Sequence, residues 1–190
     1  MEEKQTEANV KNVALRNGLI WGVINIVIFL TIYYVVPDMM SSYALAGIQL
    51  LIGIGLAVFF TLELRKAAGG YWTFKSALLN IFIMFLISMA ISYVFTVVFG
   101  KFIDPSYPGK MKELVMAKTE STLKSVGMQE SQIEEAMEKT KENLQKQFNP
   151  TFSQMISGFG VSAIFYFVGA LIFALIFKKE RPIFLPGTED

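Results

Sequence analysis

Charge is missing from this chain in four long blocks. Asn17 to Pro37, Met39 to Leu62, Ser76 to Gly100 and Thr151 to Phe177 contain no Asp, Glu, Lys, Arg or His. A helix needs about 20 mostly apolar residues to cross a bilayer, whose hydrocarbon core offers backbone N–H and C=O groups no partner. Each block meets that length. The expected fold is all-α: a four-transmembrane-helix bundle forming a single integral membrane domain over residues 1–190, with spans near 17–37, 41–62, 76–99 and 154–177. The lipid bilayer is the first partner of such a chain.

The remaining composition narrows the chemistry. The chain is 53% hydrophobic and carries a formal net charge of +1. So small a charge gives no pull towards nucleic acid. Cysteine and histidine are both absent, which excludes disulfides, thiol catalysis and the commonest metal ligands. Gly69-Gly70 is followed by Tyr71-Trp72 rather than the lysine of a phosphate loop. No G-x-S-x-G elbow occurs. No cofactor, metal or catalytic residue is therefore expected. The first apolar block is longer than the roughly 7–15 residues of a signal core and lacks a small-x-small cleavage pattern, so it reads as a retained anchor.

Two short connections set the orientation. Pro37 to Ser42 holds Asp38 and no base, whereas Glu63 to Lys75 holds Arg65, Lys66 and Lys75. The positive-inside rule puts the second connection, and with it both termini, in the cytoplasm. The third connection then lies outside, although it carries Lys101, Lys110, Lys112, Lys118, Lys124, Lys139, Lys141 and Lys146. Long regions translocate largely regardless of charge, so the short connections govern. Trp21, Tyr71 and Trp72 would then mark the inner interface, and Tyr33, Tyr34, Tyr43 and Tyr107 the outer one.

That third connection, residues 101–150, is too long for a bare loop. Met111, Leu114, Val115, Thr122 and Val126 recur at helical spacing, and Gly127 offers a stop. Ser131 and Glu134 then match a capping box. Ile133, Ala136, Met137, Thr140, Leu144 and Phe148 continue the period up to Asn149-Pro150. The pattern predicts an extracytoplasmic amphipathic helical hairpin. Its apolar stripes could bury against each other, against the span ends, against a partner, or on lipid.

Inside the spans the strongest polar groups are the amides Asn25, Gln49 and Asn80. Amides join membrane helices by hydrogen bonds, or together they could line a polar path. Glu63 sits at the inner end of the second span, where a local ion pair with Arg65 or Lys66 is expected. Gly18 and Gly22 form a GxxxG pair, suited to packing within the bundle or to self-association. Gly53 with Gly55, Ser88 with Ser92, Gly158 with Ser162, and Ala170 with Ala174 repeat the small-residue theme.

Gly69 and Gly70 allow a tight turn, Thr73 can cap the next helix, and Trp72 and Phe74 can anchor it at the interface; the same residues could dock a partner. The stretch Arg65-Lys66-Ala67-Ala68-Gly69-Gly70-Tyr71-Trp72-Thr73-Phe74-Lys75-Ser76-Ala77 resembles the R-x-x-x-G-G-x-x-(S/T)-F-x-x-A segment of a bacterial four-span family, domain of unknown function 4199. Ala14-Leu15-Arg16-Asn17-Gly18, Ile103-Asp104-Pro105 and the helical insertion before the fourth span are similar too. The resemblance covers roughly residues 10–180. It implies a four-helix protein of the bacterial inner membrane and carries over no catalytic residue.

The leading expectation is a non-enzymatic accessory or scaffold subunit that interacts with other membrane proteins or with itself. The alternative is a small transporter or channel component whose path is lined by Asn25, Gln49 and Asn80. A lipid-processing enzyme would have to rely on Glu63 and Asp104.

Overall fold

A computed structural model describes residues 2–148 and 150–180, with side chains from Glu7 onward. Among these residues the fold is all helical: α1 (Glu2–Val35), α2 (Tyr43–Ala67), α3 (Phe74–Val98), α4 (Tyr107–Ser125), α5 (Glu130–Phe148) and α6 (Phe152–Phe177). Four of them, α1, α2, α3 and α6, are long and apolar enough to cross a membrane. The first helix extends well before the first uncharged block, because nothing in Glu2–Arg16 breaks it.

Local chemistry sets the boundaries. Pro37 opens a 3-10 turn, Pro37–Ser41, between α1 and α2. Gly69 and Gly70 carry φ of 80° and 84°, as the tight turn between α2 and α3 requires. The Thr73 side chain accepts from the Ser76 amide and caps α3. A π turn, Phe99–Ile103, prolongs α3. Gly127, φ 75°, turns α4 into α5.

Two caps differ from the sequence reading. Ser131 and Glu134 do not begin α5, which starts at Glu130. Instead the Gln129 amide donates to the Gln132 side chain, because the αL turn at Gly127 ends early enough for Gln129 to supply the first helical carbonyl. The full capping box lies at α6, where Thr151 and Gln154 cap each other's backbone.

The central helix is α3, packed most closely on α1 and then on α6, while α2 leans on α1, α3 and α6. A Cβ at Gly18 would lie 2.8 Å from the Met84 carbonyl oxygen and one at Gly22 2.8 Å from Ile91 Cβ. The GxxxG pair is thus the seam that lets the parallel helices α1 and α3 approach.

Packing is uneven along the bundle. Near the α2–α3 turn, here the turn end, Ala14, Leu64, Ala77, Ala170 and Ala174 are fully buried in one core. Trp21 belongs to that core, stacked on Phe60 and edge-on to Phe85, so it is a packing residue and not an interfacial one. Towards the other end, here the hairpin end, α2 has no buried residue between Tyr43 and Leu56. The same half of α6 is equally bare; Phe165 is 72% exposed. Gly53, Gly55 and Gly158 face open space. These small residues therefore pack nothing within the chain, unlike Gly18, Gly22, Ala170 and Ala174.

Candidate functional site at the hairpin end

Three helix pairs in the bundle carry polar junctions: α1 with α2, α1 with α3, and the start of α3 with the end of α6. In the spans, Asn25 Nδ2 donates to Ser88 Oγ at 3.3 Å and Ser92 Oγ at 3.5 Å, tying α1 to α3. Buried Asn80 turns back on its own helix and donates to the Ser76 carbonyl at 2.8 Å. Gln49 is exposed on the bare half of α2. Among the described residues no hydrogen bond joins these three amides to one another.

At the turn end, Glu63 pairs across helices rather than with Arg65 or Lys66. Arg16 Nη2 lies 3.5 Å from Glu63 Oε1, and fully buried Asn17 donates to Glu63 Oε2 at 2.8 Å. Burial of Asn17 explains the choice: its amide needs an acceptor once it leaves water, and the carboxylate supplies one. Trp72 is buried and fastens the start of α3 to the end of α6. Its indole donates to the Phe177 carbonyl at 2.9 Å, and its backbone forms an antiparallel bridge with Lys179. Phe74 packs half-buried on the same core. The motif around Gly69, Gly70, Trp72 and Phe74 is thus a clasp between spans, with Trp72 facing inward.

The hairpin is fastened by a further junction. Tyr33 Oη donates to Asp104 Oδ2 at 2.5 Å and accepts from Lys110 Nζ at 3.1 Å. Lys110 also lies 3.4 Å from Asp104. Asp104 accepts from the amide and hydroxyl of Ser106 as well. The Ser106 and then the Tyr33 hydrogen bonds hold the Asp104 carboxyl well below the usual carboxylate range. In turn the Tyr33 hydroxyl, helped by Asp104, raises Lys110. Below this clasp Tyr33, Phe99, Tyr107 and Met111 form a second buried cluster, with Phe29 packed against its rings. Tyr33 and Tyr107 are therefore core residues, whereas Tyr34 and Tyr43 are exposed.

The hairpin stripes are buried or half-buried where periodicity placed them, with one exception. Met111 on α4 and Ile133 and Leu144 on α5 are buried, but Val126 is exposed because it lies at the tip, beyond the reach of α5. The hairpin caps α1 and α3 and leaves a gap towards α6. That gap is a cavity of about 840 Å³, walled by α3 (Met89, Tyr93, Val97), α6 (Met155, Tyr166) and the hairpin (Val115, Leu144). Lys101 and Gln147 stand at its lining with Ser92 and Thr96. A shallower cavity of about 580 Å³ lies beside the Asp104 clasp, between the 3-10 turn and α4.

Sequence reading missed the roles of Asn17, which looked like an ordinary span residue, and of Tyr33, which it took for an interfacial aromatic. Their signal was positional: each lies at a span end at the level of a carboxylate that follows or closes another span. No pattern in the sequence announced the cavity. Among the described residues, no group of acidic side chains is placed to hold a metal ion.

No curated protein and no solved structure matches the chain. One family model does match, over residues 16–179, a range that takes in all three clasps, the hairpin and the cavity. The chain accordingly belongs to the family described as protein of unknown function (DUF4199).

Proposed function

We propose that this chain is a non-enzymatic multi-pass protein of the bacterial inner membrane, an accessory or scaffold subunit that docks further membrane spans. The observation that carries this reading is the pair of bare helix halves. Gly47, Gly53 and Gly55 on α2 and Gly158 and Gly160 on α6 face open space. Glycine costs a helix about 0.5–1 kcal/mol relative to alanine, and membrane helices use it where another backbone comes close. Within this chain Gly18 and Gly22 repay that cost against α3; the five others have nothing to meet. A transmembrane helix of a partner protein, or of a second copy, supplies the missing surface.

Support also comes from how the polar groups are used. Glu63 and Asp104 lie at opposite ends of the bundle and each holds helices together. Arg65, Lys66 and Lys75 place the turn end in the cytoplasm by the positive-inside rule, and the hairpin then stands outside. Its outer faces carry the i,i+4 pairs Glu120–Lys124, Glu135–Lys139 and Glu142–Lys146, the pattern of a solvated helix surface.

Single cysteines at Gly53 and Gly158, introduced into a chain that has no other cysteine, test the reading in native membranes. Crosslinks to a discrete partner or a second copy are expected from both, and none from a cysteine at Val23 on the exposed face of α1. A lone monomer in every mild detergent, with no crosslink from either glycine position, would sink the proposal.

A further inference from the structure

The cavity beneath the hairpin plays no part in span docking, and its dimensions point elsewhere. Along α3 its wall runs from Met89 to Lys101, about 18 Å of helix at about 1.5 Å per residue. On α6 the wall from Met155 to Tyr166 is about 16 Å by the same rise. Half of a hydrocarbon core is about 15 Å. The cavity is therefore as deep as one leaflet. Its lining over that depth is mostly apolar and aromatic; the hydroxyls of Ser92 and Thr96 turn back to carbonyls of α3, and the Tyr93 hydroxyl donates to the Met155 carbonyl of α6 at 3.3 Å.

Charge in the lining is confined to the hairpin end. Among the described residues, Lys101 is the one charged residue in the lining and no acid joins it. Lys101 makes no ion pair among the described residues; its ammonium sits 5.6 Å from the Phe102 ring. An unneutralised cation over an apolar slot of leaflet depth has the form of an amphiphile's complement.

We propose that the cavity holds an acyl chain of one anionic lipid, taken from the leaflet on the hairpin side, with its phosphate at Lys101. The inference rests on the four-span reading and not on span docking. An acyl chain gains little by leaving other acyl chains, so the preference comes from the headgroup. A lysine near an anionic lipid surface contributes about 1 kcal/mol, which corresponds to about five-fold in affinity. Val115 and Leu144 from the hairpin close the slot over the chain, so the lipid also joins the hairpin to α6, which the helices themselves leave apart.

Native mass spectrometry of the full chain in mild detergent provides the test. Phosphatidylglycerol and phosphatidylcholine with identical acyl chains are titrated separately. One saturable adduct is expected, about five-fold tighter for phosphatidylglycerol. Lys101→Gln should bring the two affinities together, and Val115→Trp, which fills the slot, should abolish both adducts. A photoreactive side chain at Val115 in the otherwise unaltered chain keeps the test independent of that variant's folding. It should label lipid in phosphatidylglycerol-containing vesicles, while the same probe at the exposed tip residue Val126 should not. Unsaturable adducts, equal affinity for both lipids in the unaltered chain, or a Val115 probe that labels protein alone would each overturn the site. If the chain resists alkaline extraction from those vesicles, such a failure leaves the four-span reading standing; if it is extracted, both fall.

Discussion

At the residue scale, glycines that all lie in apolar helices have opposite roles. Gly18 and Gly22 sit where an added methyl would meet the Met84 carbonyl and Ile91 at 2.8 Å. The Met84 carbonyl is backbone and Ile91 Cβ is fixed by its own backbone, so neither can rotate aside, and Gly18→Ala and Gly22→Ala should each destabilise by about 1–3 kcal/mol, the usual cost of overpacking. Gly53→Ala and Gly158→Ala meet open space and should leave the isolated chain unchanged or more stable by about 0.5–1 kcal/mol. Denaturant unfolding in detergent micelles, followed by circular dichroism, separates the two groups. Asn25 makes a different kind of contact. Its hydrogen bonds to Ser88 and Ser92 are long, 3.3 and 3.5 Å, and a double-mutant cycle with Ser88 should return a coupling of about 0.6 kcal/mol. The GxxxG spacing was legible in the sequence; which glycines meet a neighbour was not, because spacing defines a face without saying what lies opposite.

Among the elements, the hairpin carries a built-in pH window. Asp104 is held below its ordinary value and Lys110 above it. A depressed carboxylate contributes all its stabilisation above its unfolded pKa, about 3.9, and loses it as pH falls through the folded value. A raised lysine contributes fully below its unfolded pKa, about 10.4, and loses it as pH rises through the folded value. Docking of α4 on the span ends should therefore stay constant between about pH 4 and 10 and loosen beyond either limit. Hydrogen exchange of α4 amides against pH checks this. Asp104→Asn should remove the acid limb of the curve, and Tyr33→Phe should make both limbs shallower, because it removes a hydrogen bond that shifts Asp104 down and Lys110 up. The clasp at Trp72 acts on another pair of elements. Trp72→Phe keeps an aromatic ring but loses the bond to the Phe177 carbonyl, and should raise exchange at the end of α6 without disturbing the hairpin. Both helices of the hairpin were readable from their apolar period. Their exact caps were not, because Ser131 and Gln129 compete for one turn and the backbone at Gly127 decides between them.

Seen as a whole molecule, the bundle is closed at the turn end and open at the hairpin end. Small side chains cause the closure: Ala14, Ala77, Ala170 and Ala174 are all fully buried and let four helices converge. The opposite halves of α2 and α6 lack such partners and show apolar side chains and open-faced glycines outward, the surface that the proposed partner span would cover. Absence of cysteine makes the sidedness directly measurable. Val126→Cys at the hairpin tip should react with an impermeant maleimide in intact spheroplasts, and Lys66→Cys only after the membrane is opened. Reaction of Lys66→Cys in intact spheroplasts would reverse the proposed orientation.

The number of long apolar helices and the place of the hairpin along the chain follow from the sequence alone, because each depends on a local quantity: charge-free length, apolar period, or a turn residue. The junctions are a matter of tertiary structure. That Glu63 pairs with Arg16 and Asn17 instead of its own neighbours, that Trp72 binds the end of α6, and that α6 stands off from the hairpin to leave a leaflet-deep slot all depend on which helices lie side by side. Helix neighbours are chosen by the summed fit of whole faces, and no single residue encodes that sum.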